Sequence, residues 1–227
     1  MSRIKGIVFD VDGTLYSNSK LRFIIGSLLI ANLIKSPVKF RKIIKIISAY
    51  RKAQEKLREN ILNDARAEQI ELTSKSTGYT TEDIEMVVSV WFDNKPLKYL
   101  KRTSREGLIG LFKWIKDRDL KLGLLSDYPC REKADALGIT EHVDIILSAQ
   151  DKDINVFKPD SKGFDVISEK LGLAPSEIIY VGDRSDIDVP GAIKSGMTAV
   201  IIGEKPGKDY LGIKNFKELQ KIIEERI

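Results

Sequence analysis

The sequence predicts an α/β fold: a doubly wound parallel sheet covered by helices on both faces and interrupted early by a mainly α-helical insert. Three observations carry that expectation. Short β-branched runs recur along most of the chain, segments of helical periodicity alternate with them, and residues 17–98 break the alternation with helical patterning.

IKGIVFD, residues 4–10, is short, β-branched and mostly apolar, as suits a buried parallel strand, and it puts Asp10 at the carboxyl end. From Leu21 the period becomes helical. Phe40, Ile43, Ile44, Ile47, Tyr50 and Leu57 recur at steps of three, four and seven with basic residues mostly between them, an amphipathic helix. Pro37 separates it from an earlier helix over 21–34, because proline suits a first turn and not a helix interior. TSKSTGYT, 73–80, reads as a polar break, and Thr80 with Asp83 as the start of the next helix.

The insert is therefore expected over 17–98, with 1–16 and 99–227 as the core. In the core, helices are expected over 107–118, 131–138, 163–172 and 189–195, and strands over 121–126, 143–148, 177–183 and 197–202. A turn-rich segment then leads to a terminal helix at FKELQKIIEERI.

At 227 residues the chain can bury a substantial core, and 31% charged with 42% hydrophobic residues excludes a disordered or fibrous class. The single cysteine, Cys130, forbids an internal disulfide and suits a reducing cytoplasm; no cleavable apolar leader is read at the start. The most apolar stretch, FIIGSLLIANLI, has 12 residues, short of the ~20 that span a bilayer. The formal charge of +5 is unevenly spread, since eleven Lys and Arg fall between Ser17 and Asn60 against only Glu55 and Glu59. That asymmetry suits a solvated helical face, or an anionic substrate, membrane or nucleic acid.

FDVDGT, 9–14, sets two carboxylates two positions apart where the first strand ends. Strand alternation can turn Asp10 and Asp12 the same way, with Gly13 permitting a sharp exit. A carboxylate can attack phosphorus when a cation neutralises charge, which makes Asp10 the candidate nucleophile and Asp12 the candidate general acid/base. GDRSDID, 182–188, adds three carboxylates at another strand end, an oxygen-rich set that suits Mg²⁺ and would be costly without a cation. Asp10, Ser126 and Asp183 each end an apolar run, so all three are expected at the carboxyl edge of the sheet, where ligands of such folds collect.

Four motifs in order resemble the haloacid dehalogenase-like hydrolase superfamily. Asp10 to Thr14 matches its Asp-x-Asp-Gly-Thr run, Ser126 in LLSD its second motif, Lys158-Pro159-Asp160 its third, and Gly182, Asp183 and Asp188 with Gly191-Ala192 its fourth. The resemblance implies a Rossmann-like core in which Asp10 attacks phosphorus and forms an aspartyl-phosphate. Asp12 would protonate the leaving oxygen and then activate water. Mg²⁺ would be held by the Asp10 carboxylate, the Asp12 carbonyl and Asp183, with Asp188 supporting the metal shell and Asp186 placed where it can share that role. Ser126 would hydrogen-bond the phosphoryl group and Lys158 would offset its charge.

True dehalogenases of the superfamily lack an acidic residue at the place of Asp12, so the resemblance implies a phosphatase or a phosphomutase. The insert, lying between the first two motifs, resembles the C1 type of cap, which closes over small substrates. The expected partner is a small phosphorylated metabolite, phosphoglycolate being the named candidate. The alternatives are a mutase acting on a phosphorylated sugar, or a nonenzymatic anion- or nucleic-acid-binding protein using the basic 17–60 stretch. No nucleic-acid motif supports the last, so nucleic acid is not an expected partner. A homodimer through the apolar first helix of the cap, or contact with a membrane surface, is left open.

Other residues carry structural expectations. His142 lacks a ligand companion, Cys130 is not the nucleophile, Trp114 is expected to pack, and Trp91 and Phe92 are expected to pack in the cap core or at its hinge, with a substrate wall as the alternative. Arg102 and Arg105 are assigned to the surface or a salt bridge, and Asp127 departs from the asparagine common after the second-motif residue.

Overall fold

The computed structural model describes residues 3–58, 60 and 62–227, with residues 32–35 described by backbone alone. Glu59, counted in the charge balance, and the side chains of 32–34, counted in the apolar helix, lie outside that description.

Six parallel strands form one sheet: β1 (Gly6–Phe9), β2 (Lys121–Ser126), β3 (Ile145–Ser148), β4 (Ile178–Gly182), β5 (Thr198–Ile202) and β6 (Leu211–Ile213). Their order is β3-β2-β1-β4-β5-β6. The first strand is therefore central, and the order reverses beside it, the place where open α/β sheets gather ligands. Register sets Phe9 opposite Leu124 on one side and Val181 on the other, so the residues just beyond each strand share one edge.

Alternation along β1 explains why helices cover both faces. Ile7 and Phe9 pack with Phe112 and Ile115 of α6 (Leu108–Lys116), Leu137 of α7 (Arg131–Leu137) and Phe216 of α10 (Phe216–Glu224). Val8 points the other way, toward Phe164 and Ile167 of α8 (Lys162–Leu171) and Ala192 of α9 (Asp188–Ser195). Each fully buried Phe or Ile of this kind contributes roughly 1.5–3 kcal/mol.

The insert is helical as expected: α1 (Asn18–Lys35), α2 (Pro37–Leu57), α3 (Ala65–Thr77), α4 (Thr81–Val88), a π-helical turn at Ser89–Asn94, and α5 (Lys95–Thr103). Pro37 sits in the first turn of α2. The expected break at 73–80 is shorter than predicted, because α3 continues to Thr77 and ends at left-handed Gly78. Thr73 and Thr77 remain helical by donating their hydroxyls to the carbonyls of Gln69 and Thr73, which keeps both buried polar groups satisfied.

Helix α5 runs unbroken through the expected 98/99 boundary. The two tethers meet where Tyr16 pairs antiparallel with Ser104, and Ser17 N–H donates to the Thr103 carbonyl at 2.8 Å. The strand β6 was not expected; three residues centred on a glycine show no alternation, and it forms because β5 offers an unpaired edge.

The insert has its own core of Ile43, Ile46, Tyr50, Ile84 and Val88, into which Tyr128 of the sheet domain also packs. On α1, Leu21 and Leu29 are buried whereas Phe23 and Ile30 are exposed. No helix among the described residues is long and apolar enough to cross a membrane.

Candidate active site

A cleft of about 870 Å³ lies between the carboxyl edge of the sheet and the insert. Asp10, Asp12, Ser126, Lys158, Asp183 and Asp188 all line it. These six are therefore brought to one cavity, whereas Asp186 does not line it, and several partners differ from expectation.

Asp10 follows the last residue of β1, and its N–H donates to the Val181 carbonyl at 2.8 Å, which extends the ladder by one residue. Its carboxylate is buried and accepts from Lys158 Nζ at 2.8 Å and from Thr14 Oγ1 at 3.1 Å. Burial pushes its pKa well above the ordinary carboxylate value; Lys158 opposes this, and the Asp188, Asp183 and Asp12 carboxylates add to it.

Asp12 is held differently. Burial alone would raise its pKa, but the Lys133 charge and hydrogen bonds from Lys133, Tyr16 and Ser126 hold it below the usual value. Lys133 Nζ reaches both carboxylate oxygens, at 2.6 and 2.7 Å, the Tyr16 hydroxyl donates to one of them, and Ser126 Oγ donates at 3.2 Å.

The turn between these carboxylates and the insert depends on Gly13. Its φ of +102° is unfavourable for side chains, and a Cβ there would meet Asp183 Oδ2 at 1.9 Å. Arg105, assigned to the surface or a salt bridge, instead clamps this turn by donating to the carbonyls of Gly13 and Thr14 at 2.7 and 2.9 Å. Arg102 is exposed on α5 and does not line the cleft.

Lys158 Nζ also donates to Asp188 Oδ1 at 2.7 Å and to the Tyr180 hydroxyl at 3.0 Å. Burial lowers a lysine pKa, yet Asp10 and Asp188 together hold that of Lys158 well above the ordinary value. The other Asp188 oxygen accepts from Arg184 N–H at 3.1 Å. Asp188 thus holds Lys158 and the start of the loop after β4. Asp186 points away from this group to an exposed ion pair with Arg184 at 2.7 Å.

Among the described residues no cation pairs directly with Asp183, although the charges of Lys158 and Arg105 act on it from a distance. Among the described residues it makes no hydrogen bond or ion pair, and burial, then the Asp188 charge, pushes its pKa up to about 6. An oxygen-only donor set with one carboxylate free of a direct ion pair fits a hard divalent cation such as Mg²⁺. No three Asp, Glu, His or Cys side chains among the described residues surround a common metal point, because Asp10, Asp12 and Asp188 turn toward lysines.

Lys133, Tyr16, Tyr180 and Arg58 belong to the site and were not singled out from sequence. Lys133 carried a signal. It stands in the first turn of α7, where the helix dipole disfavours a cation, and its ion pair with Asp12 is the compensation. Trp91 and Phe92 pack as expected and also line the cleft; they occupy the π-helical turn. His142 lies in a short 3₁₀ turn beside Glu141 and outside the cleft, and Trp114 packs against the sheet core.

A model of the haloacid dehalogenase-like hydrolases matches residues 4–196. The chain belongs to that family. It is 31% identical over 205 residues to a glyceraldehyde 3-phosphate phosphatase of Methanopyrus kandleri, covering 88% of this chain and 84% of that protein. It is 26% identical over 208 residues to a phosphoglycolate phosphatase of Shigella dysenteriae, covering 83% and 78%. The crystal structure of a HAD phosphatase from Thermococcus onnurineus superposes with a TM-score of 0.65 at 24% identity over 99% of this chain and all of that one. The structural likeness establishes the hydrolase fold with its inserted helical cap, and the family membership makes the chain a hydrolase.

Proposed function

We propose that the protein is a Mg²⁺-dependent phosphatase of small phosphomonoesters that works through an aspartyl-phosphate on Asp10, with residues 17–98 as its cap. One observation carries this reading: two carboxylates two residues apart at the end of the central strand are each paired with a different lysine, Asp10 with Lys158 and Asp12 with Lys133. Two curated relatives named as phosphatases of small phosphorylated compounds support it.

In this reading Asp10 is the nucleophile and Lys158 offsets the charge that its carboxylate and the phosphoryl group share. Asp12, two residues on, exchanges protons with the leaving oxygen and then with the attacking water; Lys133, Tyr16 and Ser126 fix its orientation. Ser126, whose hydroxyl lies 3.2 Å from Asp12, would hydrogen-bond the phosphoryl group. Mg²⁺, held by Asp10, the Asp12 carbonyl and Asp183, would supply charge neutralisation at the phosphoryl oxygens. Asp188 acts through Lys158 as a positioning residue. The cap wall excludes water from the reacting groups.

The test is phosphate release from a panel led by phosphoglycolate and glyceraldehyde 3-phosphate and including an activated aryl phosphate, with and without Mg²⁺, beside the Asp10→Asn protein. Release that needs both Mg²⁺ and Asp10 is expected. Isomer formation without net release would replace this reading with a mutase, and no turnover of any compound would sink both.

A further inference from the structure

We propose that the insert side of the cleft is an apolar groove for the body of the substrate, so that the ester hydrolysed is an amphiphilic phosphomonoester whose alcohol carries an extended hydrocarbon. The proposal rests on the phosphatase reading for the end of the cleft that takes the phosphoryl group.

The two sides of the cleft differ in chemistry. Along the sheet edge it is lined by carboxylates, lysines and a serine. On the insert side three elements each contribute two apolar side chains: Ile25 and Leu29 from α1, Ile44 and Ile47 from α2, and Trp91 and Phe92 from the π-helical turn. The first two pairs are spaced by four and three residues, which puts each pair on one face of its helix. Trp91 and Phe92 are consecutive, and consecutive residues diverge less around the wider i→i+5 turn than around an α-helix, so both border the cavity.

These six do more than complete the core of the insert. Ile25, Ile47 and Phe92 pack against that core yet remain half-buried, and all three border the cleft. Ile44, which is 41% exposed, carries the apolar wall out to solvent. Carbon that the core leaves uncovered thus faces the cavity that holds the carboxylates, where a ligand with apolar surface of its own gains by covering it. A sugar or a small hydroxy acid gains little there, because the six side chains offer a hydroxyl no partner except the Trp91 indole N–H.

Charge on the insert side is either paired or exposed. Arg58 is held by Asp127 and Glu55, and Arg184 by Asp186 and Glu55. Arg22, Arg51 and Lys52 border the cleft as exposed residues, and such long side chains lay their methylenes along apolar surface while the charge stays hydrated. A cleft of about 870 Å³ is in the range that encloses a ligand of drug size, ~300–1,000 Å³. The phosphate of a short alcohol would leave the six side chains uncovered.

Calorimetry with n-alkylphosphonates from methyl to octyl, in the presence of Mg²⁺, reads the groove whether or not the protein turns over esters. Affinity should rise about two- to fourfold per added methylene. Butylphosphonate should bind at least about tenfold more tightly than its isostere 2-methoxyethylphosphonate, which sets an ether oxygen against carbon. Ile44→Ser and Ile47→Ser should each flatten the series, with thermal unfolding showing that the variants fold. A series without slope, no binding of any member, equal affinity of the two isosteres, or a slope that both variants leave unchanged overturns the groove. In parallel, kcat/KM for phosphate release should be higher with octyl phosphate than with phosphoglycolate, and the reverse order overturns the proposed substrate. Release from neither, beside a steep binding series, sinks the phosphatase reading and keeps the groove.

Discussion

The Arg58 guanidinium lies 2.7 Å from the Asp127 carboxylate, and the same nitrogen donates to the Lys158 carbonyl at 2.6 Å. One side chain just past the end of α2 thereby ties the insert to the loop after Ser126 and to the loop that carries Lys158. Asp127 completes the joint: its second oxygen accepts from Lys158 N–H at 3.0 Å, and Gln54 of α2 donates to the first at 3.1 Å. The departure from asparagine at this position has a physical reason, since a charged acceptor strengthens a hydrogen bond to arginine.

Breaking this joint should loosen the insert. Asp127→Asn and Arg58→Met are each expected to cost about 1–3 kcal/mol in urea denaturation. The double variant should lose less than the sum, by a coupling of at least about 1 kcal/mol. Strict additivity would show that the pair contributes no interaction.

Lys158 neutralises two buried aspartates at once. Lys158→Met leaves Asp10 and Asp188 facing each other without a cation, and a loss of roughly 3–5 kcal/mol at neutral pH is expected, the usual cost of orphaning a buried charge. Phosphate release should vanish with it. A variant of native stability would show that the two carboxylates do not depend on this lysine.

The acid/base assignment predicts that Asp12→Asn lowers the rate of phosphate release by about 10²–10⁴. Lys133→Met should lower it less, because Tyr16 and Ser126 still hold the Asp12 carboxylate. Steady-state kinetics on an aryl phosphate, whose leaving group needs little protonation, should narrow the Asp12→Asn deficit. An equal deficit on alkyl and aryl esters would remove the leaving-group proton from Asp12.

Cys130 is buried, and burial, partly opposed by Lys133, pushes its pKa up to about 12. At about pH 8 it should carry at least roughly a thousandfold less thiolate than a free cysteine, whose pKa is about 8.5. Iodoacetamide should label it at a vanishing rate in the folded protein and readily in denaturant. Rapid labelling without denaturant would mean that the loop after β2 opens.

The strands flanking the site, the alternating faces of β1 and the carboxylates at the strand ends were legible because each is a local property. A strand's period and its end are written in a few consecutive residues, and a parallel sheet then brings Asp10, Ser126 and Asp183 to one edge whatever the insert does. The run 73–80 reads as a break from its polar composition, whereas Thr73 and Thr77 satisfy their hydroxyls inside α3 and the helix ends only at Gly78. The strand β6 left no signal, since its cause is the edge of β5 and not its own sequence.

The amino-acid sequence by itself determined the α/β core, the helical insert, and the residue types that meet at the carboxyl edge. Only the tertiary structure decided how charge is distributed among them. Lys133 and Asp12 are 121 positions apart, and Arg58 and Asp127 are 69 apart. No local pattern specifies such pairs; they exist because sheet and insert dock, exclude water, and make each buried charge find a partner. Among the described residues, the same docking leaves Arg22 and Arg51 lining the cleft without a carboxylate partner.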